Sequence, residues 1–334
     1  MIVLSGGTGT PKLIDGLRAW LPDEEISVIV NTAEDIWISG TFVSPDVDTV
    51  LYLFSGDLDK NRWWGMTDET YTTYNQLKKM GKPELLMLGD RDRANNLIRT
   101  ELLKTKTLSY ATLDIAKKLG VNANIIPMSD DPVKTRIFTP EGVIHFQDFW
   151  VGKKGAPDVF NFSYFGIKNA KISPRAKTVL SKENYVIIGP SNPMTSIGPM
   201  LALPGMREIL KNKKVIAISP IIGTEPISGP AGKLMKAKKM DVTAKAVAEF
   251  YQDIIDIFVY DIRDTVINPE EIRNMGIKPV AFDTLMTDFE KRKDLAEKVL
   301  ELLDVSKNKK QAQAHQLNRP LKKPSGRKPC RRIA

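Results

Sequence analysis

The 334-residue sequence has one cysteine and two histidines. Cys330 lies in a polar stretch near the C-terminus, so no intrachain disulfide and no cysteine metal site can form. With only His145 and His315, histidine-rich metal sites and Ser-His-Asp catalysis have little to draw on. No apolar run is suited to a membrane span. The start shows no basic segment followed by an apolar stretch and a cleavage site. A cytoplasmic protein with no membrane partner is the expectation.

Acidic residues are missing from one region only. The net charge of +9 comes from Lys307, Lys309, Lys310, Arg319, Lys322, Lys323, Arg327, Lys328, Arg331 and Arg332, with no Asp or Glu among them, so residues 1–305 are close to neutral. Pro320, Pro324, Pro329 and the scarcity of apolar side chains make 306–334 read as a disordered basic tail. A solvated extension accounts for such a tail, and loose contact with a polyanion is the functional alternative. Nothing in the body calls for a specific nucleic acid.

What is present begins at the second residue. Ile2–Leu4 reads as a buried strand running into Ser5-Gly6-Gly7-Thr8-Gly9-Thr10, after which a helix starts near Lys12. A strand feeding a helix through glycines gathers free N–H groups and the positive end of a helix dipole, where phosphate fits. The turn completes neither standard fingerprint: Lys12 lacks its Gly and Ser/Thr neighbours, and the third dinucleotide glycine is absent. Tight-turn geometry alone is the competing reading.

Short apolar runs then alternate with helical patterns. Strands are expected at Ile26–Val30, Glu84–Leu88, Asn124–Pro127, Tyr185–Ile188, Val215–Ile218, Ile257–Tyr260 and Val280–Phe282. Helices are expected from Pro45 to Phe54 with Ser44 as cap, at Thr70–Met80, Leu108–Leu119, Val242–Tyr251 and Lys291–Leu303. A hairpin through Pro140-Glu141-Gly142 is expected within 133–150. The alternation predicts a doubly wound α/β fold. Its mostly parallel, Rossmann-like sheet has helices on both faces and a smaller inserted or C-terminal α+β part. One domain over 1–305 with an insertion at about 133–180 is the simplest division. Ligands in such folds sit outside the carboxyl ends of the strands. Polar, glycine-rich segments follow five of the strands here, at Ser5–Thr10, Asn31–Asp35, Gly89–Asp92, Gly189–Ser196 and Ser219–Pro220, which favours one composite site.

Asp46 and Asp48, in the first turn of a helix, are candidates for a hard cation such as Mg²⁺; compensation of the helix dipole explains them equally. Asp90 and Asp92 repeat the spacing, with a surface ion-pair cluster as the plain alternative. Ser191, Asn192 and Ser196 precede a helix and make a second anion cradle, or simply its cap. Trp37, Trp63 and Trp64 either stack on a ring or pack as core, His145 reads as structural, and Met200, Met206 and Met235 as core filling. Two anion cradles and paired carboxylates suit phosphoryl-type transfer, which asks for charge neutralisation and positioning more than covalent help.

The ordered set Leu4-Ser5-Gly6-Gly7-Thr8-Gly9, Val30-Asn31-Thr32-Ala33-Glu34-Asp35, Ser44-Pro45-Asp46-Val47-Asp48-Thr49, Leu88-Gly89-Asp90-Arg91-Asp92, Gly189-Pro190-Ser191-Asn192-Pro193 and Ile227-Ser228-Gly229-Pro230-Ala231-Gly232-Lys233 resembles the 2-phospho-L-lactate transferase family of deazaflavin coenzyme F-420 biosynthesis, from residue 1 to about 303. The resemblance implies Mg²⁺-dependent transfer of a phospholactyl or related unit from a lactyl-diphospho-guanosine donor to the ribityl hydroxyl of the deazaflavin Fo, with release of GMP, in a homodimer. It places Gly6, Gly7, Thr8, Gly9, Lys12, Ser191, Asn192 and Ser196 on the donor. Asp46 and Asp48 fall to metal and catalysis, and Asp48, Met87, Leu88, Gly89, Asp90 and Arg91 to Fo. Two other readings stand beside it. One is a nucleotide-sugar-binding regulatory protein of a related family, whose usual Gly-Pro-Gly-Ser turn is Ser191-Asn192-Pro193 here. The other is an NAD(P)-binding oxidoreductase, against which the missing third glycine and the lack of an acidic residue closing the second strand both count.

Overall fold

The computed structural model describes residues 1–303, and the basic segment after residue 305 lies outside them. Seven strands form a parallel sheet: β1 (Ile2–Ser5), β2 (Ser27–Val30), β3 (Asn124–Pro127), β4 (Tyr185–Ile188), β5 (Lys214–Ile218), β6 (Ile257–Asp261) and β7 (Lys278–Phe282). Their spatial order is β7-β6-β5-β4-β1-β2-β3. From β1 the chain steps outward through β2 to β3, then returns to β4 on the other side of β1 and steps away again. Ile2 pairs with Ser27 on one side and Val186 on the other. The carboxyl ends of β1 and β4 therefore sit at the topological switch point, where a crevice opens in folds of this kind.

These strands read as unbroken apolar runs because both faces of the sheet are buried. Ile2, Leu4, Ile29, Ile126, Val186, Ile188, Val215, Ala217 and Phe258 belong to one apolar cluster. Their alternates Val3, Val28, Val30, Ile125, Ile187, Ile216, Ile218, Ile257 and Val259 belong to the other. The second cluster is covered by α1 (Gly9–Leu17), α2 (Pro45–Ser55) and the C-terminal helix Phe289–Leu302, through Leu13, Ile14, Leu17, Val47, Val50, Leu51, Leu295, Val299 and Leu300. The first and last of these helices cross closely at Gly16, where a Cβ would overlap the Arg292 carbonyl.

The opposite face is covered by helices that include Pro174–Lys182, Gly198–Ala202, Met206–Leu210 and Ala244–Tyr251. A three-stranded antiparallel sheet, Gly142–His145 beside Lys134–Thr139 beside Asn161–Phe165, packs there too. That sheet lies inside the span read as an insertion. Ile137 and Phe162 join it to the same apolar cluster as the central sheet. No helix among the described residues is long and apolar enough to cross a membrane.

Several expectations change. Glu84–Leu88 forms no strand. Glu84 is held by Arg93, and Leu85–Leu88 line a cavity, so the segment's apolar character serves a wall and not a sheet. Ser44 does not cap α2 with its side chain; its hydroxyl donates to Asp35 Oδ1 at 2.7 Å. The helix Asp90–Leu103, called α3 below, begins at the Asp90-Arg91-Asp92 segment. Its buried residues are Asp92, Arg93, Asn96 and Arg99, while Leu97 is 54% exposed, so its burial pattern is the reverse of an ordinary amphipathic helix.

Candidate functional site

A cavity of about 550 Å³ opens at the carboxyl ends of the central strands. One end is built from the turn after β1 (Gly7, Thr8, Gly9, with Lys12 on α1) and the turn after β4 (Pro190, Ser191, Asn192, Thr195, Ser196). Pro220, Ile227–Ala231, Thr284 and Met286 also line the cavity. The lining also has an apolar, aromatic set, with Trp64, Tyr74, Leu85, Leu86, Met87, Leu88, Phe146, Trp150 and Val151. Glu34, Asp46, Asp48 and Asp92 line the cavity as well, all at most 9% exposed.

The two turns are fastened together by Ser191. Its Oγ accepts from Gly6 N at 3.2 Å and Thr10 N at 3.4 Å, and lies 2.7 Å from Thr10 Oγ1. Asn192 Oδ1 accepts from Met194 N and Thr195 N, which caps the following turn, while its Nδ2 is buried without a hydrogen-bond partner. Lys12 has no carboxylate partner among the described residues. It lies over the Trp63 ring, and burial, with nearby Arg292, lowers its pKa. An unpaired, half-desolvated ammonium beside backbone N–H groups is a seat for an anion.

The carboxylates divide by what holds them. Asp46 Oδ2 accepts from Asn31 Nδ2 at 2.9 Å; burial pushes its carboxyl up to about 6, against the opposing hydrogen bonds from Asn31 and Gly7. Glu34 is raised well above the usual carboxylate range, first by burial and then by the charge of Asp46. Asp48 is engaged through both oxygens by Arg99, which is wholly buried. Tyr52 donates to Asp92 Oδ1 at 2.6 Å.

Among the residues predicted from sequence, Gly7, Thr8, Gly9, Lys12, Asp46, Asp48, Met87, Leu88, Ser191, Asn192 and Ser196 line this single cavity. Gly6, Gly89, Asp90 and Arg91 do not. Gly6 packs under the turn, where a Cβ would come within 2.6 Å of Ser196. At Gly89 a Cβ would overlap Glu69. Arg91 pairs with Asp57 at 2.9 Å and donates to Thr67 O. Asp90 caps the helix Thr72–Lys79, accepting from Thr70 Oγ1 at 2.6 Å, Thr72 N at 2.9 Å and Thr73 N at 3.1 Å; the Thr70 hydroxyl is the main reason its carboxyl stays below the usual range. We expect Asp90→Ala to lower the unfolding free energy by about 1 kcal/mol, seen as an earlier urea midpoint at unchanged slope. An unmoved midpoint excludes the capping role.

Of the three tryptophans, Trp63 is core, Trp64 lines the cavity under Arg62, and Trp37 is exposed and packs edge-on against Phe42. His145 is buried, its pKa lowered to about 4 by burial, and its Nδ1 accepts from Gln147 N. Sequence reasoning did not assign Glu34 a role, nor Arg99 and Tyr52. Glu34 sits in a strand-end segment already marked as part of the site, which was the available signal.

Asp46 suits a hard cation: it lines the cavity beside the glycine turn, burial raises its carboxyl, and its charge in turn raises that of Glu34. Asp48 is less suited, because ligation there competes with Arg99. Among the described residues no three Asp, Glu, His or Cys converge as a self-sufficient metal cluster.

Comparison with known proteins gives consistent results. A model of the family described as 2-phospho-L-lactate transferase CofD matches residues 1–301. The 2-phospho-L-lactate transferase of Methanosarcina mazei is 53% identical over 302 residues, covering 90% of this chain and 99% of that protein. That of Methanocaldococcus jannaschii is 44% identical over 304 residues, covering 90% and 96%. Among solved structures, a member of the upf0052 family from Bacillus halodurans superposes with TM-score 0.62 at 18% identity, over 90% of this chain and 97% of that one. This last likeness concerns the fold alone.

Proposed function

Because the chain belongs to the 2-phospho-L-lactate transferase family, an enzyme family of coenzyme F-420 biosynthesis, we propose that its cavity joins two substrates across the carboxylates. The donor is a guanosine diphosphate carrying lactate or a related three-carbon acid on its outer phosphate. The acceptor is the deazaflavin Fo, and GMP is released. The observation that carries this reading is one cavity whose lining combines a glycine-and-hydroxyl set with an apolar, aromatic set. A diphosphate suits the first, where Gly7, Gly9, Lys12, Asn192 and Ser196 gather. A planar tricycle suits the second, between Trp64, Met87, Leu88 and Trp150.

Each part of the chain then has a task. Lys12 and the N-terminus of α1 offset phosphate charge. The free Asn192 Nδ2 offers a donor on the nucleotide side. The apolar walls hold the acceptor ring and exclude water, which strengthens every charge interaction nearby. Mg²⁺, where bound, would be held by Asp46 together with donor phosphate oxygens, and would supply Lewis-acid neutralisation of those oxygens. Asp48, fixed by Arg99, shapes the floor between the two halves. A homodimer in the cytoplasm belongs to the same reading.

The test uses the purified chain with synthetic donors and Fo. Release of GMP, dependent on both substrates and on Mg²⁺, is the expected result, and the donor that turns over fastest identifies the three-carbon acid. Titrations with Fo, GDP and NAD accompany it. Binding of NAD alone would overturn the reading in favour of an oxidoreductase. Tight GDP binding with no turnover would favour a regulatory nucleotide-binding protein.

A further inference from the structure

We propose that Asp92 takes the proton from the acceptor hydroxyl during transfer, an assignment that rests on the acceptor reading above. The three aspartates that line the cavity are held differently. Asp48 is closed off, since Arg99 engages both its oxygens. Asp46 lies on the glycine-turn side, bonded to Asn31. Asp92 differs from both. Its Oδ1 is fixed by Tyr52 Oη at 2.6 Å and Asn96 Nδ2 at 3.1 Å. Its Oδ2 makes no hydrogen bond among the described residues, and the residue lines the cavity. One oxygen anchored and one left open is the arrangement a general base requires.

The backbone supports this placement. Asp92 sits in the first turn of α3, and its own N–H donates to Glu69 Oε1 at 2.7 Å. Burial, then the charge of Asp48, pushes its carboxyl up to about 7. The groups facing it are Tyr52 and Asp48 from α2, Arg99 on its own helix, and Glu69. A base of this strength accepts a proton near neutrality and returns it readily.

The hydroxyl oxygen of the acceptor bonds to the phosphorus that carries the three-carbon acid. The bond from that phosphorus to the bridging oxygen breaks, and GMP departs with that oxygen and the electron pair. The hydroxyl proton passes to Asp92 Oδ2 and from there to water.

The experiment compares wild type with Asp92→Asn, using Fo, a synthetic lactyl-diphospho-guanosine donor and Mg²⁺. The amide oxygen still accepts from Tyr52, so the variant keeps its fold, and a urea midpoint checks this. We expect kcat to fall about 10²–10⁴-fold with Fo affinity retained, as read by absorbance titration. The fall in wild-type kcat on acidification, as the base becomes protonated, should vanish from the residual activity. Unchanged kcat in Asp92→Asn, or a residual activity that keeps the same acid limb, overturns the assignment. A wild-type enzyme that releases no GMP with Fo overturns the acceptor reading, and the proposal with it.

Discussion

Arg99→Met should lower the unfolding free energy by about 3–5 kcal/mol, the usual cost of removing one partner from a buried ion pair. Arg99 has no exposed surface, and its two terminal nitrogens are bonded to protein groups: Asp48 through both, Asn96 Oδ1 at 2.6 Å and Phe42 O at 3.4 Å, while its Nε is buried without a hydrogen-bond partner. Those contacts tie α3 to α2 and to the hairpin strand Thr41–Val43. Methionine fills much of the same volume but leaves the Asp48 carboxylate, 4% exposed, without a counter-charge. Lysine does not repair the loss, because one ammonium cannot reproduce a planar fork that meets both carboxylate oxygens. Adding Asp48→Asn to Arg99→Met should recover part of the stability, since the uncompensated charge is then gone. Urea unfolding of the two single variants and the double variant gives the coupling directly. Additive losses with no recovery in the double variant would falsify the pairing as the source of the effect.

That network also shows where the sequence is readable and where it is not. The strands of the central sheet are legible because apolar runs bounded by Gly, Pro and Asn have few other uses. The cavity is legible in outline because polar segments follow those strands. α3 is not legible from periodicity. Its buried face is Asp92, Asn96 and Arg99, at helical spacing but with the polarity reversed, and Leu97 faces outward. A charged face can be buried only if other segments bring matching groups, here Asp48 and Tyr52, and no local window contains that information. The same reasoning explains Glu84–Leu88. Its apolar content suggests a strand, but nothing local says whether such a run will find a sheet edge or become a cavity wall. Asp46 and Asp48 are equivalent by spacing, and only the fold separates them, giving one to Arg99 and the other to Asn31. For Asp90 and Asp92 the fold makes one a helix cap and leaves the other open to the cavity.

Gly9→Ala should weaken GDP binding by more than about tenfold, a loss of at least ~1.4 kcal/mol, while leaving Fo binding in place. Gly9 opens α1, and a Cβ there would overlap the carbonyl oxygen of Pro190. That oxygen is backbone and cannot rotate away; the next residue is pinned by Ser191 N donating to Gly189 O at 2.7 Å. The fit is reciprocal, because a Cβ on Gly189 would overlap the Thr10 side chain. The turns after β1 and β4 thus interlock through two glycines and are fastened by the Ser191 hydroxyl. An added methyl has to push them apart, at the cost of about 1–3 kcal/mol typical of overpacking. Spreading the turns moves the Gly7–Thr8–Gly9 backbone away from Asn192 and Ser196, the groups proposed to grip the diphosphate from the other side. Leu85–Leu88 and Phe146–Val151 make no hydrogen bond to either turn among the described residues, so the acceptor site should feel the change less. Paired titrations with GDP and Fo separate the two ends. Equal weakening of both would mean that Gly9 supports the fold as a whole, and undiminished GDP affinity would remove the glycine turn from the donor site.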